Sequence, residues 1–144
     1  MTALVTQARP EDTAAIQRLA AKADSPFEIQ RELERAHARL WIVREGEGSD
    51  VAGFLLAWEV ADEVHVIDLV VAEDQRRRGF GRALLEQVVQ RARDNVARLV
   101  LLEVRRTNEP AIALYAAFGF EQSGERKAYY ADGEDAWLMQ LVLS

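Results

Sequence analysis

Read for the spacing of its apolar positions, the chain divides into short runs of β type and longer stripes of helical type. Leu4 to Ala8 reads as a first strand. Arg9-Pro10-Glu11-Asp12 has the form of a helix start, with proline early and acids in the first turn, and Ile16, Leu19, Ala20 and Ala23 supply its apolar stripe. Ser25-Pro26-Phe27-Glu28 matches a capping box and predicts a second helix reaching about Ala36. Leu40 to Glu45 and Val51 to Val60 are strands joined through Gly46-Glu47-Gly48-Ser49-Asp50, a hairpin. Val64 to Val71 follows as a buried strand, and Phe80, Leu84, Leu85, Val88 and Ala92 then recur at helical spacing from about Gly79 to Asn95. Leu99 to Arg105 is the next strand, so strand, helix and strand imply a right-handed parallel crossover.

Thr107-Asn108-Glu109-Pro110 opens a further helix, capped by Thr107 or Asn108, with Ile112, Tyr115 and Phe118 on one face and Gly119 as its stop. Phe120 to Lys127 and Ala136 to Leu143 form a last pair of strands around a hairpin-type Asp132-Gly133. Repeats, low-complexity segments and linkers are absent from the sequence. The pattern predicts an α/β fold: one domain over residues 1–144, a mixed central sheet with a parallel crossover, and helices on both faces.

Composition narrows the chemistry. The chain has no cysteine, so disulfides, zinc-cysteine sites and a cysteinyl intermediate are excluded. Two histidines, His37 and His65, do not suffice for a multi-histidine metal site, and no metal is expected. A net charge of −6 argues against nucleic acid as a partner. No apolar run approaches the ~20 residues of a membrane span. The N-terminus lacks the charged-then-apolar order of a signal peptide, so a cytoplasmic location is expected.

Against this acidic background Arg76-Arg77-Arg78 stands out, followed by Gly79-Phe80-Gly81-Arg82. Glycines among arginines, between a strand and a helix start, make an anion site. Bare N–H groups and the positive end of the helix dipole face the loop, and glycine lets a phosphate approach the backbone. A P-loop is excluded because no Lys-Ser/Thr pair follows the glycines. A dinucleotide fingerprint would require a small residue at Leu84 and glycines at the first turn after the strand, and the chain has neither.

Several polar residues carry two readings. Strict strand alternation puts Leu99, Leu101, Glu103 and Arg105 on one face. Glu103 is then either a carboxylate raised by burial at the end of an apolar row, suited to act as a base, or the partner of Arg105. Tyr115 shares a face with Ile112 and Phe118 and reads as a core aromatic. The same alternation groups Asp68 with Val64, Val66 and Val70 as a satisfied buried polar group, and His65 with Ile67 and Leu69 as a packed or surface histidine. His37 gives no signal.

Arg76-Arg77-Arg78-Gly79-Phe80-Gly81 meets the pattern [RQ]xxGx[GA], which resembles the pyrophosphate loop of the GNAT acyltransferase superfamily. Leu102-Glu103-Val104-Arg105, Asn108, Ala111 to Tyr115, Phe118-Gly119-Phe120, Arg126 to Tyr130 and Asp132 to Ala136 follow in the order of its ribosomal-protein-alanine N-acetyltransferase (RimI-type) branch. The resemblance runs from about Asp62 to Leu141. Before residue 60 the family often carries a Pro-Trp-type motif where this chain has Pro26-Phe27.

The resemblance implies acetyl-CoA as donor, held by backbone groups of Leu69, Val70 and Val71, by Arg77, Arg78, Gly79, Phe80, Gly81 and Arg82, and by Asn108. It implies Glu103 as base and Tyr115 as acid, with Tyr129 and Tyr130 lining a peptide groove. The acceptor it implies is a protein N-terminus, a ribosomal protein's alanine among them, reached by direct attack in a ternary complex. Two alternatives stand beside it: a small amine or lysine acceptor on the same fold, and a non-catalytic acyl-CoA-binding module. Proton energetics favour the α-amine. With a pKa of ~8 it gives up its proton at pH 7 for ~1.4 kcal/mol, whereas a lysine at ~10.4 requires about 4–5 kcal/mol.

Overall fold

A computed structural model describes residues 3–143. Its strands are β1 (Leu4–Gln7), β2 (Ala38–Arg44), β3 (Gly53–Val60), β4 (Glu63–Val71), β5 (Leu99–Arg105), β6 (Glu121–Arg126) and β7 (Ala136–Val142). They form one sheet in the order β1-β2-β3-β4-β5-β7-β6. Every neighbouring pair is antiparallel except β4 and β5, which are parallel and joined by α3 (Phe80–Asp94). The other helices are α1 (Thr13–Lys22), α2 (Ile29–Glu34) and α4 (Glu109–Ala117).

The sheet is buried on both faces. On one, Phe80, Leu84, Leu85, Val88 and Ala92 of α3 pack with Leu55, Ala57, Val64, Val66, Val100, Leu102 and Val104, and α4 joins through Tyr115. On the other, Ile16 and Ala20 of α1 and Ile29 of α2 cover Leu40, Ile42, Phe54, Leu56 and Val70. Leu84, the residue too bulky for a dinucleotide fingerprint, is fully buried. Truncating it to alanine would cost about 2–5 kcal/mol.

Three local expectations change. Strict alternation along β4 fails, because its register against β3 shifts: Ala57 pairs with Val66 but Leu56 pairs with Asp68, leaving Ile67 as an extra residue. This bulge re-aims the strand. Val64 and Val66 join the α3-side core, whereas Val70 joins the α1/α2 side, and Leu69 packs on the α3 side. Asp68, opposite Leu56, therefore faces α1 and α2 and does not share a face with Val64 and Val66.

The capping box at Ser25 does not form either. The Ser25 hydroxyl donates to Asp68 at 2.6 Å, and α2 starts only after Glu28, which makes no side-chain cap. The first backbone N–H of α2, on Ile29, is instead satisfied by Gln17 Oε1 of α1 at 2.9 Å.

The third change concerns the last hairpin. Its tip is a three-residue loop: Tyr130 N–H donates to Glu134 O at 3.1 Å and Gly133 N–H to Tyr130 O at 2.8 Å, with Gly133 at φ +88°. That left-handed position is where this loop type requires glycine.

Candidate active site

The feature that makes a site is a gap in the sheet. Parallel pairing of β4 and β5 runs from Glu63 opposite Leu99 to Val66 opposite Leu102 and ends there. β4 nevertheless continues to Val71 and β5 to Arg105, so the two strands part into a wedge. Along Leu69–Val71, β4 keeps only β3 as a ladder partner. On the β5 side no strand among the described residues pairs with its backbone, and Val71 O accepts instead from Arg76. The stretch Leu69, Val70 and Val71, expected to bind the donor, lies where the two strands have parted.

Gly53, which no motif along the chain singles out, makes this segment possible. A Cβ on Gly53 would sit 2.6 Å from Val70 O, closer than real contacts allow. β3 therefore lies tight behind the donor-facing stretch of β4.

At the end of β4 one turn of 3-10 helix (Glu73–Gln75) leads into the arginine loop and then α3. Arg77 (φ +63°) and Gly79 (φ +82°) both adopt left-handed backbone. Gly79 caps α3 with no side-chain hydrogen bond, so the first-turn N–H groups of Phe80, Gly81 and Arg82 have no capping partner. Together with the helix dipole they form an anion cradle of backbone groups.

The arginines divide by role. Arg78 turns inward, lying 5.2 Å over the Phe80 ring and 3.1 Å from Glu45. Arg76 Nε donates to Val71 O at 3.3 Å, and Arg82 lies over Phe118 at 5.4 Å and pairs with Glu86. Arg77 makes no ion pair or side-chain hydrogen bond among the described residues, which leaves its charge available.

Two candidate proton-handling residues flank the wedge from opposite faces. Tyr115 lies on the α3 side, 6% exposed, its ring tilted against Phe120 at 5.8 Å. Burial, then the charge of Asp68, then Tyr130 push its phenol above the usual range. It therefore stays protonated throughout the neutral region.

Glu103 follows Leu102 directly and lies on the α1/α2 side, but it is not buried. Its side chain is 35% exposed and sits 3.6 Å from Arg126 Nε. The expectation of a carboxylate closing an apolar row fails because no helix covers this end of β5. Pairing with Arg105 is also absent. Arg105 instead binds Asp132 and Glu134, each at 2.9 Å, and stacks 4.0 Å over Tyr130.

Around Glu103 the 127–135 connection builds a polar rim. The carboxylate of Glu103, by charge and hydrogen bonding, raises the Tyr129 phenol, which is half exposed and edge-on to Tyr130 at 5.2 Å. Glu134 anchors the rim. It accepts from the Thr107 backbone at 2.9 Å and from the Thr107 hydroxyl, and Arg105 adds its charge. Those bonds hold its carboxyl at about 2. Thr107 is thereby committed to the rim, and Asn108 is the cap of α4, accepting from Ala111 N–H at 3.3 Å. Among the described residues no group of three or more His, Asp or Glu is placed to hold a metal ion, and no helix is long and apolar enough to cross a membrane.

A mixed sheet parted at its one parallel pair, with bare helix N–H groups at the parting, is a frame able to take an anionic donor, and the sequence comparisons make it an acyltransferase. The chain belongs to the acetyltransferase (GNAT) family, whose sequence model matches residues 4–120. It is 35% identical over 128 residues to the [ribosomal protein bS18]-alanine N-acetyltransferase of Escherichia coli (strain K12), covering 77% of this chain and 86% of that protein. With the N-alpha-acetyltransferase of Sulfurisphaera tokodaii it shares 34% identity over 141 residues, covering 89% and 84%. The crystal structure of the ribosomal-protein-S18-alanine N-acetyltransferase from Escherichia coli matches with a TM-score of 0.88 at 28% identity, over 99% of this chain and 95% of that one.

Proposed function

We propose that this acetyltransferase moves the acetyl group of acetyl-CoA to the α-amine of a protein N-terminus, a ribosomal protein with N-terminal alanine being the first acceptor to test. The observation that carries the reading is the wedge between β4 and β5, with Glu103 on one face and Tyr115 on the other. The amine adds to the thioester carbonyl and the sulfur then leaves the tetrahedral carbon, so a base at the nitrogen and an acid at the sulfur must reach that carbon from different sides. The acceptor preference is supported by relatives along most of the chain that are named for N-terminal acetylation.

In this reading the Phe80, Gly81 and Arg82 N–H groups hold the donor's pyrophosphate and the Leu69–Val71 backbone aligns its arm, with Asn108 beside it. The thioester supplies an activated acetyl group. Glu103, open to solvent, removes the proton that the amine sheds, directly or through one water, as the C–N bond forms. Tyr115 gives its phenolic hydrogen to the sulfur as the C–S bond breaks. Burial weakens Tyr115 as an acid, but a thiolate leaving in the same apolar surroundings becomes a stronger base for the same reason. Free thiol and an N-acetylated chain are the products.

The test is incubation with acetyl-CoA and peptides of defined N-terminus, Ala-first sequences included, reading free thiol and the mass of the N-terminal residue. Acetyl on the α-amine is expected. Transfer only to lysine side chains or small amines would replace the acceptor assignment, and CoA binding without transfer to any amine would overturn catalysis.

A further inference from the structure

Two carboxylates lie under the α1/α2 layer, and they are treated differently. Glu32 is 3% exposed and fully partnered: Trp58 Nε1 donates to one oxygen at 2.7 Å and Arg35 binds the other at 2.8 Å. Asp68 receives the Ser25 hydroxyl at 2.6 Å and the N–H of its neighbour Leu69, and no cation among the described residues pairs with it. Asp68 is partly buried, and a carboxylate partly withdrawn from water without a counter-charge is costly. Ser25 alone does not demand one, because an amide oxygen would accept the same bond.

Position supplies the missing partner. Asp68 is the first β4 residue after the bulge, just beyond the last β4–β5 pair, and Glu103 is the first β5 residue beyond it. Both face the α1/α2 side, so the two carboxylates flank the wedge on the side away from Tyr115. Ser25 belongs to the α1–α2 connection that roofs this point. The groups that bond Asp68 are the Ser25 hydroxyl from that connection and the Leu69 N–H, and the Tyr115 phenol feels its charge across the wedge. None of them is a cation.

We propose that Asp68 is an acceptor-binding residue whose carboxylate holds the α-ammonium of the incoming N-terminus, with Ser25 fixing its orientation. The inference rests on the N-terminal acceptor reading and adds a recognition element to it. A positive amine completes the uncompensated carboxylate on arrival, and Glu103 then takes the proton as above. Once acetylated, the nitrogen is neutral and loses this contact, so the same residue favours substrate over product.

The experiment measures binding, by calorimetry with CoA present, of an Ala-first peptide and of the same peptide already N-acetylated. The wild type should prefer the free amine by about tenfold, the scale of one charge-assisted hydrogen bond. Asp68→Asn keeps the Ser25 bond and should reduce the preference to under about twofold, with CoA affinity unchanged. Glu103→Gln should keep most of the preference. Should Asp68→Asn fail to fold, Asp68→Ser carries the same expectation. A preference retained without the Asp68 charge overturns the proposal. The same peptide's turnover separates the two readings. Transfer that proceeds with an Asp68-independent preference removes Asp68 and leaves the function. No transfer, with a preference that vanishes in Asp68→Asn, removes the function and leaves an amine site.

Discussion

The two halves of the cleft are made of different material. At the proposed donor end, recognition would rest on main chain: the Phe80–Arg82 N–H groups, left-handed Arg77 and Gly79, and the parted side of Leu69–Val71. At the proposed acceptor face it would rest on side chains from distant segments, with Asp68, Glu103, Tyr129 and Glu134 supplied by β4, β5 and the β6–β7 connection. Main-chain recognition tolerates side-chain change and fails when backbone geometry is disturbed. Side-chain recognition has the opposite weakness. A scaffold divided this way can keep one donor and exchange acceptors.

The largest expected effect lies at Tyr115, the proposed acid for the donor's sulfur. Tyr115→Phe should lower kcat about a hundredfold at nearly constant KM, read as thiol release. Glu103→Gln should cost less, about tenfold at pH 7, and the deficit should shrink above pH ~8 as the amine loses its proton unaided. A larger effect at Glu103 than at Tyr115 would reverse the weight given to the two faces.

Next comes backbone geometry. Gly53→Ala forces a Cβ against Val70 O, which sits at 2.6 Å. We expect a loss of about 1–3 kcal/mol in chemical denaturation and a several-fold rise in KM for acetyl-CoA, with KM for the peptide unmoved. Equal rises in both would mean that the donor and acceptor halves are not separable.

Smaller effects sort the arginines. Arg77→Ala should raise the donor KM roughly two- to fivefold, with the difference fading in high salt as exposed charges are screened. Arg78→Ala should instead lower the melting temperature and spare the donor KM, because that side chain is committed to Phe80 and Glu45.

The smallest effect is in acid. Glu134 is held at about 2, below its ordinary 4.5, so its contribution to stability is present above pH ~4.5 and is lost as pH falls towards 2. Urea midpoints measured from pH 6 to 2 should fall more gently in Glu134→Gln than in the wild type, which starts higher.

Much of this was readable along the chain where a feature depends on neighbours in sequence. β5 falls on Leu99–Arg105 as expected, and α3 lies within a residue of its predicted ends. The glycine cradle and the Asn108 cap follow from local chemistry as well. Where a residue's role depends on a distant partner, the reading failed. Ser25 looks like a cap until Asp68 arrives from 43 residues away. Glu103 looks paired with Arg105 until the hairpin tip brings Asp132 and Glu134 to that arginine. Period-two alternation gave Asp68 the wrong companions because a bulge is a property of two strands in register, not of one.

The sequence by itself determined the elements, their parallel crossover and the glycine-led start of α3, because hydrophobic period, turn chemistry and glycine conformation act over a few residues. Only the tertiary structure decided where β4 and β5 part, which face each carboxylate takes, and that Glu103 stays open to water while Asp68 is partly covered. Those outcomes depend on register and covering layers, which exist only once distant segments have packed.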